Sequence, residues 1–115
     1  MKRLHTLTAA ELNAWRQERM RIGQQTYGDR DTGRYNLVDA AEELLDALNI
    51  LERFENRARA QGYELDFEQL TNFKALKIYT ANAIEAAKDL DNTLPDSLCT
   101  DENGGARIWW PGEGQ

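Results

Sequence analysis

Along this chain, apolar and polar positions alternate with the period of a helix over nearly the whole length before Pro95. Nowhere do they alternate residue by residue, as a half-buried strand would require. Asn36 to Phe54, NLVDAAEELLDALNILERF, carries the clearest pattern. At about 100° per residue, Leu37, Ala41, Leu44, Leu48 and Leu51 share one broad face, with Leu45 at its edge. Asp39, Glu42, Glu43 and Asp46 share another, at spacings of three, four and seven.

Two further helices flank this one. Thr8-Ala9-Ala10-Glu11 has the form of a capping box, with Leu7 and Leu12 placed as a hydrophobic staple. The helix it opens is predicted to reach about Gln25, with Leu12, Trp15 and Ile22 on its apolar side and Arg16, Arg19 and Arg21 on its polar side. Thr26 to Asn36, TYGDRDTGRYN, reads as a loop. The central helix then runs from about Asn36, a candidate N-cap, towards Gln61, with Gly62 as C′ residue and Arg57 and Arg59 in its last turn. Asp66-Phe67-Glu68-Gln69 forms a second capping box, with Leu65 and Leu70 as its staple. The third helix is predicted to reach about Leu94. Its Phe73, Leu76, Thr80, Ala83, Ile84 and Ala87 form one stripe, and Asn82, Glu85 and Asp89 a separate polar one.

Both prolines, Pro95 and Pro111, lie in the last fifth of the chain, so no obligate breaker interrupts residues 1–94. The sequence after Pro95 is irregular, with Gly104-Gly105 and Pro111-Gly112 as breakers around Ile108, Trp109 and Trp110. The expected fold is therefore all-α: one helical domain over 1–94 with three main helices, then an irregular tail over 95–115. The apolar stripes exceed what three helices can cover among themselves. The bundle is expected to be completed in a homodimer or higher homo-oligomer. Adjacent exposed tryptophans are unfavourable, so the tail's Ile108, Trp109 and Trp110 are expected to dock against the helices or a partner copy.

Composition narrows the function. The 115 residues carry a net charge of −6, which argues against general affinity for nucleic acid or an anionic membrane. No apolar run approaches the roughly 20 residues a membrane helix needs. The opening MKRLHTLTAAEL has no apolar core of the signal-peptide type. Cys99 is the only cysteine and His5 the only histidine. An internal disulfide, cysteine clusters, histidine zinc sites and Glu-x-x-His di-iron bundles are thereby excluded. A reducing cytoplasm is the expected location.

The acidic stripe changes the picture most. No Lys or Arg lies between Asp39 and Glu52. The like-charged pairs 39/42, 39/43, 42/46 and 43/46 each cost about 0.2–0.5 kcal/mol. A solvated face is one reading of such a stripe. The other is a site for Mg²⁺ or Mn²⁺, whose preferred ligands are carboxylates. Immediately upstream, five of the fourteen basic residues fall between Arg16 and Arg34. These arginines suit either acids on a neighbouring helix or the bidentate grip of a phosphate.

From Trp15 to Phe54 the residues resemble a known family. Trp15-Arg16-x-x-Arg19-x-x-x-Gly23 leads into Tyr27-Gly28-Asp29 and then Glu42-Glu43-Leu44-Leu45-Asp46-Ala47-Leu48-Asn49. This pattern is similar to the small, single-domain MazG-like all-α nucleoside triphosphate pyrophosphohydrolases. The resemblance implies Mg²⁺ held by acids from two neighbouring helices. It also implies cleavage between the α and β phosphates, giving a nucleoside monophosphate and pyrophosphate. Glu42, Glu43 and Asp46 match the family's Glu-Glu-x-x-Glu motif, with Asp in the last place. The second motif, Glu-x-x-Asp, meets Glu85-x-x-Lys88, with Asp89 one residue late. Asp39 is a further candidate ligand on the central helix.

On this reading Glu43 orients or deprotonates the attacking water. Glu42, Glu43, Asp46, Asp39, Glu85 and Asp89 are the candidate metal ligands. Arg16, Arg19, Arg30 and Arg34 would hold the phosphates. The alternative is a non-catalytic helical interaction protein with the same fold.

Overall fold

The computed structural model describes residues 2–27 and 36–99. They form three long helices: α1, Ala9–Tyr27; α2, Asn36–Ala60; and α3, Phe67–Thr93. Short 3₁₀ turns lie at Leu4–Thr6 and Asp96–Leu98, and no strand occurs among the described residues. The all-α expectation holds. The chain divides into two compact units, Met1–Arg34 and Tyr35–Gln115.

In the first unit, α1 starts where the capping box places it. Thr8 Oγ1 accepts from the Glu11 amide at 3.1 Å, and the Glu11 carboxylate accepts from the Thr8 amide at 3.1 Å. Two amides left without helical partners in the first turn are thus satisfied reciprocally. Leu7 is half-buried, while Leu12 remains 45% exposed. The helix runs two residues beyond the expected Gln25, taking in Thr26 and Tyr27. The rest of the expected loop before Asn36 lies outside the described residues.

The second unit is a helical hairpin. α2 ends in a Schellman motif: the Tyr63 amide donates to the Ala58 carbonyl at 2.9 Å, and the Gly62 amide to that of Arg59 at 3.0 Å. Gly62 takes φ +72°, a left-handed conformation that glycine adopts at least cost. α3 opens on the second predicted capping box, with the Gln69 amide donating to Asp66 Oδ1 at 2.8 Å and the Asp66 amide to Gln69 Oε1 at 3.0 Å. Leu65 and Leu70, the predicted staple, are both half-buried and line one shallow recess with Ala58 and Arg59. Both caps are fixed by residues three apart in sequence, which is why they were legible there.

α2 packs on α3 through the predicted leucine face: Leu37, Ala41, Leu44, Leu48 and Leu51 are all half-buried, and Leu45 at the edge is 50% exposed. On α3, Phe73 is buried, while Thr80, Ala83, Ile84 and Ala87 are half-buried. Leu76, expected on the same stripe, is 50% exposed. It lies about 60° round the helix from Phe73, at the margin of what one neighbouring helix covers.

Beyond α3, Leu94 caps the helix and Pro95 precedes the 3₁₀ turn. This turn carries Cys99 back against the end of α3, with its thiol donating to the Asp91 carbonyl at 4.0 Å. Phe73 and Cys99 are the only buried apolar residues among those described. Ile108, Trp109 and Trp110 lie outside them. No described helix is long and apolar enough to cross a membrane.

Candidate functional site

α2 fixes the geometry of the acidic stripe. Glu42 and Asp46 each stand about 160° round the helix from Leu44, on the side turned away from α3. Glu43 lies between that outer face and the packed one. Glu42, Glu43 and Asp46 are exposed, and Asp39 is half-buried. No hydrogen bond or ion pair joins Glu42, Glu43 or Asp46 to another described residue. The repulsion inferred from the sequence is thus left uncompensated by any described cation.

The α3 acids sit differently. In the antiparallel hairpin, Phe54 meets Phe73, a register that sets Glu85 at the height of Glu42. Glu85 points about 120° away from Phe73, while Glu42 points away from α3 altogether. The two therefore do not converge. Lys88 Nζ lies 3.3 Å from the Glu85 carboxylate, pairing it along its own helix. Asp89 is exposed. Among the described residues, no group of three or more His, Cys, Asp or Glu side chains is placed to hold a metal ion.

The donors on α2 still suit one class of cation. Mg²⁺ commonly binds one or two carboxylates, substrate phosphate oxygens and several waters, without an all-protein cage. Glu42/Asp46 at i,i+4 and Glu43/Asp46 at i,i+3 offer such pairs on one exposed face. That face is open to a ligand as bulky as a triphosphate.

Of the candidate phosphate-binding arginines, Arg16 and Arg19 belong to α1 and to the first unit. Arg16 Nη2 donates to Asn13 Oδ1 at 3.1 Å. Arg19 is exposed and makes no hydrogen bond or ion pair with a described residue. Arg21, by contrast, is engaged: its Nε donates to Glu18 Oε2 at 2.9 Å and its Nη2 to Oε1. This fork holds the Glu18 carboxyl below its ordinary value and raises the Arg21 guanidinium above its own. Arg30 and Arg34 lie outside the described residues.

The turn end of the hairpin holds a feature that the sequence reading did not identify. An open groove of about 640 Å³ is lined by Phe54, Arg57, Tyr63, Gln69, Asn72 and Phe73, among others. Its polar floor is partly committed, because Gln69 exchanges hydrogen bonds with the Tyr63 hydroxyl at 2.9 and 3.1 Å while also closing the α3 cap. The near-symmetric placing of Phe54 and Phe73 about the 61–66 turn was the available signal.

Comparison with protein-family models, with curated proteins and with solved structures finds no match for this chain.

Proposed function

We propose that this chain is a homo-oligomeric nucleoside triphosphate pyrophosphohydrolase dependent on Mg²⁺ or Mn²⁺. It would cleave between the α and β phosphates to give a nucleoside monophosphate and pyrophosphate. One observation carries the reading: Glu42, Glu43 and Asp46, the residues matching the acidic motif, stand exposed on one helix face with no described basic partner. A helix serving only as structure gains by placing Lys or Arg among such acids.

Glu42 and Asp46 are the principal ligand pair in this reading, with Asp39 beside them. Glu85 and Asp89 would contribute from another helix. A bound divalent ion would supply charge stabilisation to the phosphates. Glu43 would take a proton from the attacking water. The water oxygen bonds to one bridged phosphorus, the P–O–P link breaks, and the bridging oxygen departs with the pyrophosphate. Arg16, Arg19, Arg30 and Arg34 would hold the phosphate oxygens through paired N–H donors.

A second reading, a non-catalytic helical interaction protein, is favoured by the Glu85–Lys88 ion pair. That pair occupies the place where the family's second acidic motif would supply a ligand. The two readings separate in a panel of nucleoside triphosphates assayed for pyrophosphate release with Mg²⁺ and with Mn²⁺. Metal-dependent release that is lost in Glu43→Gln supports the hydrolase. Absence of release across the panel, from folded oligomeric protein, leaves the interaction protein.

A further inference from the structure

α3 presents an uncharged seam to solvent. Gln69, Asn72, Leu76, Tyr79, Ala83, Ala86 and Leu90 follow one another at alternating spacings of three and four over six turns, the spacing of a coiled-coil contact line. The helix carries seven charged side chains, and none falls on that line. Yet Leu76 is 50% exposed, Tyr79 71% and Leu90 49%. On α2, Ile50 at 54% and Phe54 at 52% border the same side, since Phe54 shares its groove with Gln69 and Asn72. These five side chains expose on the order of 500 Å², the upper range of the largest apolar patch on an ordinary monomer. Adding Asn72 and the seam alanines approaches the roughly 800 Å² per partner of a standard interface.

We infer that this face is the contact between two copies of the chain, with the α3 helices antiparallel across a two-fold axis near Tyr79. Shape on the page selects that occupant. The N-terminal half of the seam is large, with Asn72 and Leu76, and the C-terminal half small, with Ala83, Ala86 and Ala87. Antiparallel self-pairing sets Leu76 of each copy against Ala83 of the other, and Asn72 against Ala86 and Ala87. Parallel pairing would oppose leucine to leucine and alanine to alanine, leaving alternating clashes and voids. Charge agrees: two copies of net charge −6 approach most easily through a face that carries none. This inference rests on the homo-oligomer reading above but not on the proposed chemistry.

The test measures dimer dissociation by sedimentation equilibrium. Wild type should be dimeric at micromolar concentration, and Tyr79→Glu should weaken the dimer at least 100-fold. Leu76→Ala alone and Ala83→Leu alone should each weaken it about tenfold or more. The double variant, which exchanges large and small across the axis, should return to within a few-fold of wild type. That rescue belongs to the antiparallel register and would not follow from a general loss of folding. A folded wild-type monomer would overturn both this inference and the homo-oligomer reading, leaving the face to a different partner. A dimer indifferent to Tyr79→Glu would overturn the seam alone.

Discussion

Phe54 on α2 and Phe73 on α3 meet with ring centroids 5.7 Å apart and planes tilted by 39°. Lys77 Nζ caps the other partner, 4.9 Å from the centroid of the Phe73 ring. This cluster is the firmest point of contact in the hairpin, because Phe73 is 6% exposed while Phe54 is 52% exposed. Phe73→Ala should therefore cost about 3 kcal/mol, and Phe54→Ala about half as much. The coupling between them should be about 1 kcal/mol in a double-mutant cycle. Urea unfolding at fixed protein concentration measures all three, and additive effects would show that the ring contact contributes nothing beyond burial.

Two glycines should respond to alanine with opposite signs. A Cβ added at Gly23 or at Gly62 meets no atom within 4 Å, so neither substitution clashes. Gly23 lies inside α1, where alanine should stabilise by about 0.5–1 kcal/mol. Gly62 holds φ +72° in the Schellman motif, where alanine should destabilise by about 1–2 kcal/mol. Equal shifts in melting temperature for the two variants would contradict this assignment of conformations.

What was legible in the sequence was local. Capping boxes at Thr8/Glu11 and Asp66/Gln69, and the C′ glycine at Gly62, depend on residues within one turn of each other, and the structure has all three. The leucine face of α2 was legible because a helix repeats it often enough to fix its direction. Leu76 was not, because period alone assigns it to the Phe73 stripe, and only the width of the neighbouring helix decides whether it is covered. The relation between the acids of α2 and those of α3 depends on hairpin register and rotation. Glu85 and Asp89 could be placed on a stripe, but their turning away from Glu42 could not be read from spacing.

The α1 cap should make the first helix sensitive to acid. Hydrogen bonding from Lys2, and then from the Thr8 amide, holds the Glu11 carboxyl below its ordinary 4.5. Arg21 does the same for Glu18. A carboxyl whose pKa is depressed on folding stabilises the fold above its unfolded value. That contribution is lost as pH falls from about 4.5 through the lower folded value. Helicity followed by circular dichroism should therefore decline over this window in wild type. Glu11→Gln keeps an acceptor at the cap and should flatten part of the decline, whereas Thr8→Ala should lower stability by about 1 kcal/mol at every pH. A wild-type acid profile identical to that of Glu11→Gln would show that the ionised cap adds no stability.

Removing one charge from the acidic stripe should act oppositely on stability and on chemistry. Asp46 stands one turn from both Glu42 and Glu43, and none of the three has a described cation beside it. Asp46→Asn relieves two like-charged pairs, so the metal-free protein should become more stable by up to about 1 kcal/mol. Asparagine keeps the shape and one acceptor oxygen but loses the charge that draws a divalent ion. The rise in melting temperature caused by millimolar Mg²⁺ or Mn²⁺ should accordingly shrink, because a ligand stabilises only as far as it binds the folded state. Pyrophosphate release should fall steeply in the same variant. A solvated acidic face predicts the first effect without the other two, since relief of repulsion requires no bound ion. Calorimetric scans of both proteins, with and without metal and nucleotide, therefore separate the readings, and a wild type unmoved by either cation would leave the stripe a solvated surface.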